Sequence, residues 1–202
     1  MCREEFLARW EEAPDLKLAE LIDGVVYLPS PVSLEHGRAV TLIQYWMTTY
    51  ATRLGKAEVL ANTTWMMEES SPQPDIALRI RPEFGGQSRN VDKFAGGAPE
   101  FAAEVTRSTR SYDLGPKLQL YERAGVREYL AALLEEQRLE WRVLRDGRYD
   151  LLQPDAAGIF RSTVFPGLWL DEAAFWANDT PAVLRVLEKG MSSPEFAAFR
   201  IH

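Results

Sequence analysis

Apolar positions along the first quarter of the chain follow first a strand-like and then a helical pattern. The stretch LAELIDGVVYLPSP contains two short apolar runs joined by Asp23-Gly24, a favoured two-residue turn, and predicts a β-hairpin. From Leu34 to Leu54, apolar side chains recur every three or four residues, which is typical of a helix with one buried face. Ser33 and Gly55 are residue types that cap the start and the end of such a helix. We therefore predict a hairpin followed by a long amphipathic helix.

Short apolar runs and two further helical segments follow. A helix is predicted from Asp113 to Ala124, ended by Gly125, and Thr180-Pro181 has the cap and first-turn proline that open a last helix. The polar, Gly-rich stretch between residues 82 and 98 predicts a loop. This order is mixed α/β and lacks the regular alternation of a doubly wound fold. The remaining predicted elements are a short helix at residues 3–12 and strands at 57–67, 75–81, 99–106, 127–134, 139–145, 148–152 and 159–165.

Length and composition suit a single globular domain with a small addition. The chain has 202 residues, of which 46% are hydrophobic, enough for a substantial core. We predict a domain over residues 1–178 and a C-terminal helical extension over 179–202. Cys2 is the single cysteine, which excludes an internal disulfide and a thiolate metal cluster. The N-terminal residues are acidic and mixed, and no apolar run approaches the roughly 20 residues of a membrane span, so a cytoplasmic location is expected.

The net charge of −7 argues against a nucleic-acid partner, because such partners usually leave a basic footprint on the protein. The distribution of charge weakens this objection. Residues 79–127 contain nine Lys and Arg side chains against six Asp and Glu side chains. The middle of the chain is therefore locally basic, and it surrounds the most informative polar residues.

Two carboxylates lie on otherwise apolar strands. Asp75 stands at the start of one predicted strand, and Glu104 stands near the end of the next. If these strands pair antiparallel, the two carboxylates become neighbours, and side-chain alternation directs Glu104 away from its apolar neighbours Ala103 and Val105. A charge in that position is costly unless it is paired or binds a cation, and two adjacent carboxylates resist joint ionisation unless a metal neutralises them. Such oxygen ligands suit Mg²⁺ or Mn²⁺.

A lysine accompanies this pair, although not on the strand. Nucleases of the (D/E)-x-K type carry it two residues after the glutamate, where this chain has Thr106. On the predicted helix after Glu104, Lys117 borders the apolar line that includes Tyr121, and its long side chain can reach back toward the carboxylates. An alternative is that Glu104 and Lys117 form a structural ion pair without a catalytic role.

Six stretches in this order and spacing carry a resemblance to a known family. They are ELIDG at 20–24, SPVSLEHG at 30–37, QPDIAL at 73–78, GAPEFAAEV at 97–105, RSYDLGPKLQLYERAGVREYL at 110–130 and FPGLWLD at 165–171. Together, covering about residues 18–175, they resemble the Uma-type restriction endonucleases, a branch of the PD-(D/E)XK nuclease superfamily. The loop after Glu104 departs from the family pattern, since it reads Thr-Arg-Ser-Thr where Ser-Pro-Ser-Thr is expected.

The resemblance implies a restriction-endonuclease-like α/β fold, with a mixed central sheet flanked by helices. The sequence pattern adds the N-terminal β-hairpin and a C-terminal helical tail, and the tail, beyond about residue 179, is a departure from the family pattern. The resemblance also implies a homodimer that hydrolyses phosphodiester bonds in DNA with Mg²⁺ or Mn²⁺. The residues that it implies for the site are the metal ligands Asp75, Glu104 and the backbone carbonyl of Val105, the relocated lysine Lys117, and the polar neighbours Glu20 and His36. Glu20 is expected to bind a second ion or to shape the first site.

Several of these assignments have simpler alternatives. His36 tops an apolar stripe, so a core histidine is the simpler interpretation of it. Arg107 and Arg110 flank the predicted site and are candidates for phosphate contacts, although most basic side chains of this segment are expected to be solvated. At the level of the whole protein, the alternative to a nuclease is a non-catalytic binding or assembly module with a nuclease fold, which the acidic net charge favours.

Overall fold

The computed structural model describes residues 1–13, 15–16, 18–28, 31–107 and 110–201, and of Arg110 the backbone. Of the stretches that carry the family resemblance, position 30 lies outside the described residues, as do positions 108 and 109 of the loop after Glu104. The strands are β1 (Glu20–Ile22), β2 (Val25–Tyr27), β3 (Ala57–Ala61), β4 (Trp65–Met66), β5 (Ile76–Ile80), β6 (Arg89–Val91), β7 (Phe94–Gly96), β8 (Phe101–Thr106), β9 (Glu128–Leu133), β10 (Arg138–Arg145), β11 (Arg148–Leu151), β12 (Ile159–Arg161) and β13 (Trp169–Asp171). The helices are α1 (Arg3–Glu11), α2 (Leu34–Leu54), α3 (Arg110–Tyr112), α4 (Leu118–Ala124), α5 (Glu172–Trp176), α6 (Thr180–Met191) and α7 (Pro194–Ile201), with a 3₁₀ turn at Pro82–Phe84 and a π-helical segment at Asp113–Lys117.

A six-stranded mixed sheet forms the centre of the molecule, in the order β11-β10-β9-β8-β5-β3. Strands β8 and β9 pair parallel, and every other neighbouring pair of this sheet is antiparallel. Smaller sheets join β1 to β2, β12 to β13, and β4 to β7 and β6. The predicted fold class, a mixed central sheet flanked by helices with an N-terminal hairpin and a C-terminal helical tail, is confirmed.

The two faces of the central sheet bury different sets of side chains. Phe101, Ala103 and Val105 of β8 pack in one core with residues of α2, α5, α6 and α7. Ala102 of the same strand belongs to a second core on the opposite face, where α4 packs. Side chains along β8 thus alternate as predicted. Because Glu104 shares the face of Ala102, it lies under α4 and away from the long helix α2.

The hairpin and the long helix form where their capping and turn residues predict. Asp23 and Gly24 both have positive φ, at 47° and 81°, which is the backbone of a tight hairpin turn. The hydroxyl of Ser33 accepts a hydrogen bond from the backbone N–H of His36, and Gly55 ends α2 in the left-handed conformation. This helix therefore begins and ends at the residues expected from the sequence.

Other boundaries were predicted wrongly. Residues 57–67 do not form one strand, because Asn62 has a φ of 48° and the chain moves from the central sheet to the three-stranded one. The predicted loop at 82–98 contains the hairpin β6–β7. The helix expected at 113–124 begins at Arg110 and passes through a π-helical segment, whose Gly115 has non-helical φ and ψ of −117° and −108°.

The C-terminal helices pack directly onto the main body. Val183 and Leu187 of α6 and Phe196 of α7 are buried in the same core as α2. A boundary between a domain at 1–178 and an extension at 179–202 stays a prediction. In the described part of the chain, no helix is both long enough and apolar enough to cross a membrane.

Candidate active site

The register of β5 and β8 places the two strand carboxylates side by side. Ile76 pairs with Ala103 in the antiparallel ladder, so that Asp75 lies opposite Glu104, one step beyond. The backbone N–H of Asp75 donates to Glu104 Oε2 at 3.3 Å, and the N–H of Val105 donates to Asp75 Oδ2 at 2.8 Å. The proximity predicted from the strand pattern is therefore present, and the strand ladder itself holds it.

Glu104 is buried, with 3% of its surface exposed. Burial raises the pKa of its carboxyl well above the ordinary value, and the positive charge of Lys117 opposes this rise. Its Oε1 accepts hydrogen bonds from Lys117 Nζ at 2.7 Å and from the hydroxyl of Tyr121 at 3.0 Å. These donors favour the ionised carboxylate in an environment that otherwise favours the neutral acid.

Lys117 is also buried and points into the same cleft. Its ammonium lies 2.7 Å from Glu104 Oε1 and 2.9 Å from Glu20 Oε1, and it donates to the backbone carbonyl of Gln73 at 3.3 Å. Burial alone lowers the pKa of Lys117, but the carboxylates of Glu104 and Glu20 outweigh burial and raise it well above its usual range. The lysine is therefore a cation within reach of Glu104, although it is buried instead of standing at the border of the helix face.

Glu20, from the first hairpin strand, uses both of its oxygens within the protein. Its Oε1 accepts from the backbone N–H of Gln73 at 2.5 Å as well as from Lys117, and its Oε2 accepts from the hydroxyl of Tyr112 at 3.1 Å. Of the two roles expected for Glu20, these contacts favour shaping the first site over binding a second ion.

His36 lies at the edge of the cleft, where the first turn of α2 approaches Asp75. Its Nε2 is 3.4 Å from Asp75 Oδ2, and its side chain is 20% exposed. The hydrogen bond to Asp75 raises the pKa of His36, while partial burial opposes the rise. The structure thus places His36 against a candidate metal ligand, outside the two cores of the central sheet, and its role in the site stays a prediction.

The candidate phosphate-binding residues are less defined. Arg107 follows β8 and is exposed, with its guanidinium 3.7 Å from Glu35 and 3.9 Å from Glu135. The side chain of Arg110 lies outside the described residues. Contacts of either arginine with nucleic acid remain predictions.

Three residues of this cluster escaped the sequence reasoning. Gln73 contributes a backbone N–H to Glu20 and a backbone carbonyl to Lys117, and its side-chain amide donates to Thr64 Oγ1 at 2.7 Å. Spacing alone places Tyr121 on the apolar face of its helix, although its hydroxyl donates to Glu104. Tyr112 precedes the expected helix start, and nothing in the local pattern links it to Glu20.

The donor set of this cleft suits a hard divalent cation. Asp75 and Glu104 offer carboxylate oxygens at the same sheet edge, and the backbone of Val105 adjoins Asp75. Among the described residues, however, no group of three or more His, Cys, Asp and Glu side chains is arranged to hold a metal. Metal binding by these two carboxylates stays a prediction.

Comparison with known proteins shows the family and the fold of this chain. Residues 3–173 match the sequence model of the Uma2 family, described as "Putative restriction endonuclease". The structure is similar to the crystal structure of "a putative nuclease belonging to DUF820" from Anabaena variabilis, with a TM-score of 0.66 and 14% sequence identity, covering 88% of this chain and 98% of that one. At that identity the likeness shows the fold alone. No curated protein is significantly similar in sequence to this chain.

Proposed function

Because the chain belongs to the Uma2 family of restriction endonucleases, we propose that it is a metal-dependent nuclease that hydrolyses phosphodiester bonds in DNA. One observation carries the proposal. Asp75 and Glu104 lie opposite each other in the β5–β8 ladder, and the buried ammonium of Lys117 contacts Glu104 at 2.7 Å. Two neighbouring carboxylates can hold a divalent ion that polarises a phosphate, and an adjacent cation can stabilise the negative charge that develops.

Asp75, Glu104 and the backbone carbonyl of Val105 would hold Mg²⁺ or Mn²⁺. When bound, such an ion polarises the phosphate and lowers the pKa of a coordinated water. The contribution of the chain itself begins with Lys117, whose positive charge opposes the rise that burial causes in the pKa of Glu104. All three ammonium protons of Lys117 have protein acceptors, and the longest of these contacts is the one to the carbonyl of Gln73. Exchange of that contact for a phosphate oxygen or a water would bring the cation to the reacting group without breaking either ion pair.

The three protein acceptors around the ammonium of Lys117 also support a second candidate function. A buried lysine with three protein acceptors suits a static network, so a non-catalytic binding or assembly module with this fold is the alternative. The net charge of −7 points the same way. Metal binding separates the two candidates, since a static module does not require a divalent ion between Asp75 and Glu104.

The direct test is cleavage of supercoiled plasmid DNA in Mg²⁺ and in Mn²⁺, followed on agarose gels. We expect the wild-type protein to nick the plasmid and the Asp75→Asn and Glu104→Gln variants to leave it intact. Glu128→Gln is the matched control for Glu104→Gln, since Glu128 is a buried carboxylate of the neighbouring strand β9 whose side chain packs on the opposite face of the sheet. Equal nicking by wild type and Asp75→Asn would contradict the proposal.

Calorimetry with Mn²⁺ tests the metal site independently of cleavage. Asp75→Asn replaces one carboxylate oxygen by an amide and is expected to abolish measurable binding, whereas Glu128→Gln is expected to bind as the wild type does. Unchanged Mn²⁺ binding by Asp75→Asn would show that the ion binds outside this cleft. The homodimer that the resemblance implies stays a prediction, which sedimentation equilibrium can check.

A further inference from the structure

We call the set of Lys117, Tyr112, Tyr121, Glu20 and Glu104 the lysine cluster. Its three side-chain donors come from one short segment of the chain, whereas its two acceptor carboxylates come from different strands. Glu104 of β8 accepts from Lys117 and from Tyr121, and Glu20 of β1 accepts from Lys117 and from Tyr112. The three donors lie within ten residues of one another, from the end of α3 to the first turn of α4. The helical geometry of this segment therefore decides whether the cluster can form.

A regular α-helix would not bring these donors together. Tyr112 and Lys117 are five residues apart, which in an α-helix of 3.6 residues per turn separates their directions by roughly 140°. The segment Asp113–Lys117 departs from a regular α-helix at a kink, where Gly115 has the non-helical φ and ψ of −117° and −108°. The ammonium of Lys117 consequently lies 5.6 Å from the centre of the Tyr112 ring. Tyr121 lies four residues after Lys117, in α4, so the two side chains lie on the same face of the helix.

Gly115 lies at the kink of this segment. Alanine favours a regular helix over glycine by about 1 kcal/mol. A Cβ added at Gly115 would meet no atom within 4 Å. Substitution of this glycine by alanine would therefore bias the segment toward a regular helix without creating a clash.

The hydrogen bonds also orient Glu104. Lys117 and Tyr121 both donate to Oε1, so Oε2 is left on the side of Asp75, whose backbone N–H it accepts at 3.3 Å. Tyr121 is fully buried, and its hydroxyl donates to Glu104. Its hydroxyl fixes which carboxylate oxygen is presented to the neighbouring Asp75.

We infer that Tyr121 and Tyr112 are positioning residues that fix Glu104 and Glu20 around Lys117, and that the kink at Gly115 brings them there. This inference rests on the proposed function for its catalytic meaning, since it assigns how the candidate site is held in shape. Neither tyrosine is a catalytic residue.

Tyr121→Phe tests the hydroxyl alone. Loss of one hydrogen bond to a charged group is expected to weaken Mn²⁺ binding, measured by calorimetry, roughly tenfold. In plasmid cleavage the kcat should fall by a similar factor while the KM for DNA stays unchanged, because no DNA contact is lost. Tyr149→Phe is the matched control, since it removes a tyrosine hydroxyl that donates to the carbonyl of Val126 at 2.7 Å, away from both carboxylates.

The Lys117 ammonium gives a readout that needs neither metal nor DNA. In ¹H–¹⁵N spectra of the metal-free protein, a buried and ion-paired ammonium exchanges slowly enough to be observed. We expect the signal of Lys117 in wild type and in Tyr149→Phe, and its broadening in Tyr112→Phe and Gly115→Ala.

The outcomes separate this inference from the proposed function. Wild type that binds Mn²⁺ without cleaving DNA would overturn the nuclease proposal, while weaker binding by Tyr121→Phe would still support positioning. Wild-type Mn²⁺ affinity in Tyr121→Phe, together with an unchanged Lys117 signal in Tyr112→Phe and Gly115→Ala, would overturn the positioning role.

Discussion

At the residue scale, the main energetic feature is a buried cation held between two carboxylates. Lys117, with 2% of its surface exposed, contacts Glu104 and Glu20 at hydrogen-bonding distance. Burying these charges costs several kcal/mol per ion, and only close geometry with further hydrogen bonds offsets that cost. The hydroxyls of Tyr112 and Tyr121 and the N–H of Gln73 supply those hydrogen bonds.

Removal of the cation should therefore destabilise the protein as well as inactivate it. Lys117→Met keeps the volume but leaves Glu20 and Glu104 facing each other, and breaking a buried pair in this way costs about 3–5 kcal/mol. We expect a loss of that size in the free energy of unfolding measured with urea. The double variant Lys117→Met/Glu104→Gln should recover part of the loss, because one of the two uncompensated carboxylates is then neutral. Full stability in the single variant would show that the ion pairs contribute little.

Glu128, on the opposite face of the sheet, makes a pH-dependent contribution to stability. Burial raises the pKa of its carboxyl, although Ser162, Thr163 and Val164 all donate hydrogen bonds to it. The folded state therefore holds this proton to a higher pH than the unfolded chain does. Stability from this group is greatest below the unfolded pKa and is lost as the pH rises through the folded value.

The Glu128→Gln variant isolates that contribution, because glutamine does not titrate. We expect the difference in free energy of unfolding between wild type and Glu128→Gln to shift in favour of the variant as the pH rises above the ordinary glutamate pKa. Urea unfolding of both proteins across that window measures the difference. A difference that stays constant with pH would place the folded pKa of Glu128 at its ordinary value.

At the element scale, the features predicted correctly from the sequence are those that local chemistry determines. The hairpin turn at Asp23-Gly24 and the ends of α2 at Ser33 and Gly55 depend on the residues at those positions. The pairing of Asp75 with Glu104 needed one assumption, that two consecutive strands lie antiparallel. Given that register, side-chain alternation places both carboxylates without further information.

What could not be predicted depends on long-range packing or on an unusual backbone. The hairpin β6–β7 lies in a polar, Gly-rich stretch whose partner strand β4 is remote in sequence. The π-helical segment leaves no periodic signal, since Gly115 and Pro116 indicate a helix start or a break equally well. Tyr112 and Gln73 were missed for the same reason, because their contacts with Glu20 join residues 92 and 53 positions apart.

Two glycines in helices should respond oppositely to alanine. A Cβ on Gly37 of α2 would meet no atom within 4 Å, so Gly37→Ala should stabilise the protein by about 0.5–1 kcal/mol through helix propensity. A Cβ on Gly190 of α6 would lie 2.3 Å from the carbonyl oxygen of Gly167, so Gly190→Ala should destabilise by about 1–3 kcal/mol through overpacking. Thermal unfolding of the two variants checks both signs. Destabilisation by Gly37→Ala would mean that this face of α2 is covered.

At the scale of the whole molecule, the C-terminal helices decide whether residues 1–178 form a domain. Val183, Leu187 and Phe196 are buried against α2 and the central sheet. Each fully buried apolar side chain stabilises a protein by about 1.5–3 kcal/mol, and total stabilities are about 5–15 kcal/mol. A protein in which these three side chains are no longer buried therefore loses much of its stability.

Deletion of residues 179–202 tests this directly. We expect the shortened chain to lose its cooperative thermal transition or to aggregate, because the apolar face of α2 is then exposed to water. Circular dichroism and size-exclusion chromatography of the shortened and full chains provide the measurement. A shortened chain that unfolds cooperatively at the wild-type temperature would support the domain boundary predicted from the sequence.

The separate hairpin between the two carboxylate strands has an evolutionary consequence. The distance between Asp75 and Glu104 is set by the β5–β8 ladder, whereas the chain that connects these strands turns away to form β6 and β7 in another sheet. The carboxylate of Glu100 accepts hydrogen bonds from the backbone N–H groups of Ile80 and Gln87, and so holds the two ends of this connecting segment together. Insertions at the exposed turn between β6 and β7 leave the spacing of the carboxylates untouched, because the packed part of this segment, which includes Ala95, stays in place. Descendants of this gene can therefore lengthen that turn, acquiring new recognition surfaces while the candidate chemistry is inherited unchanged.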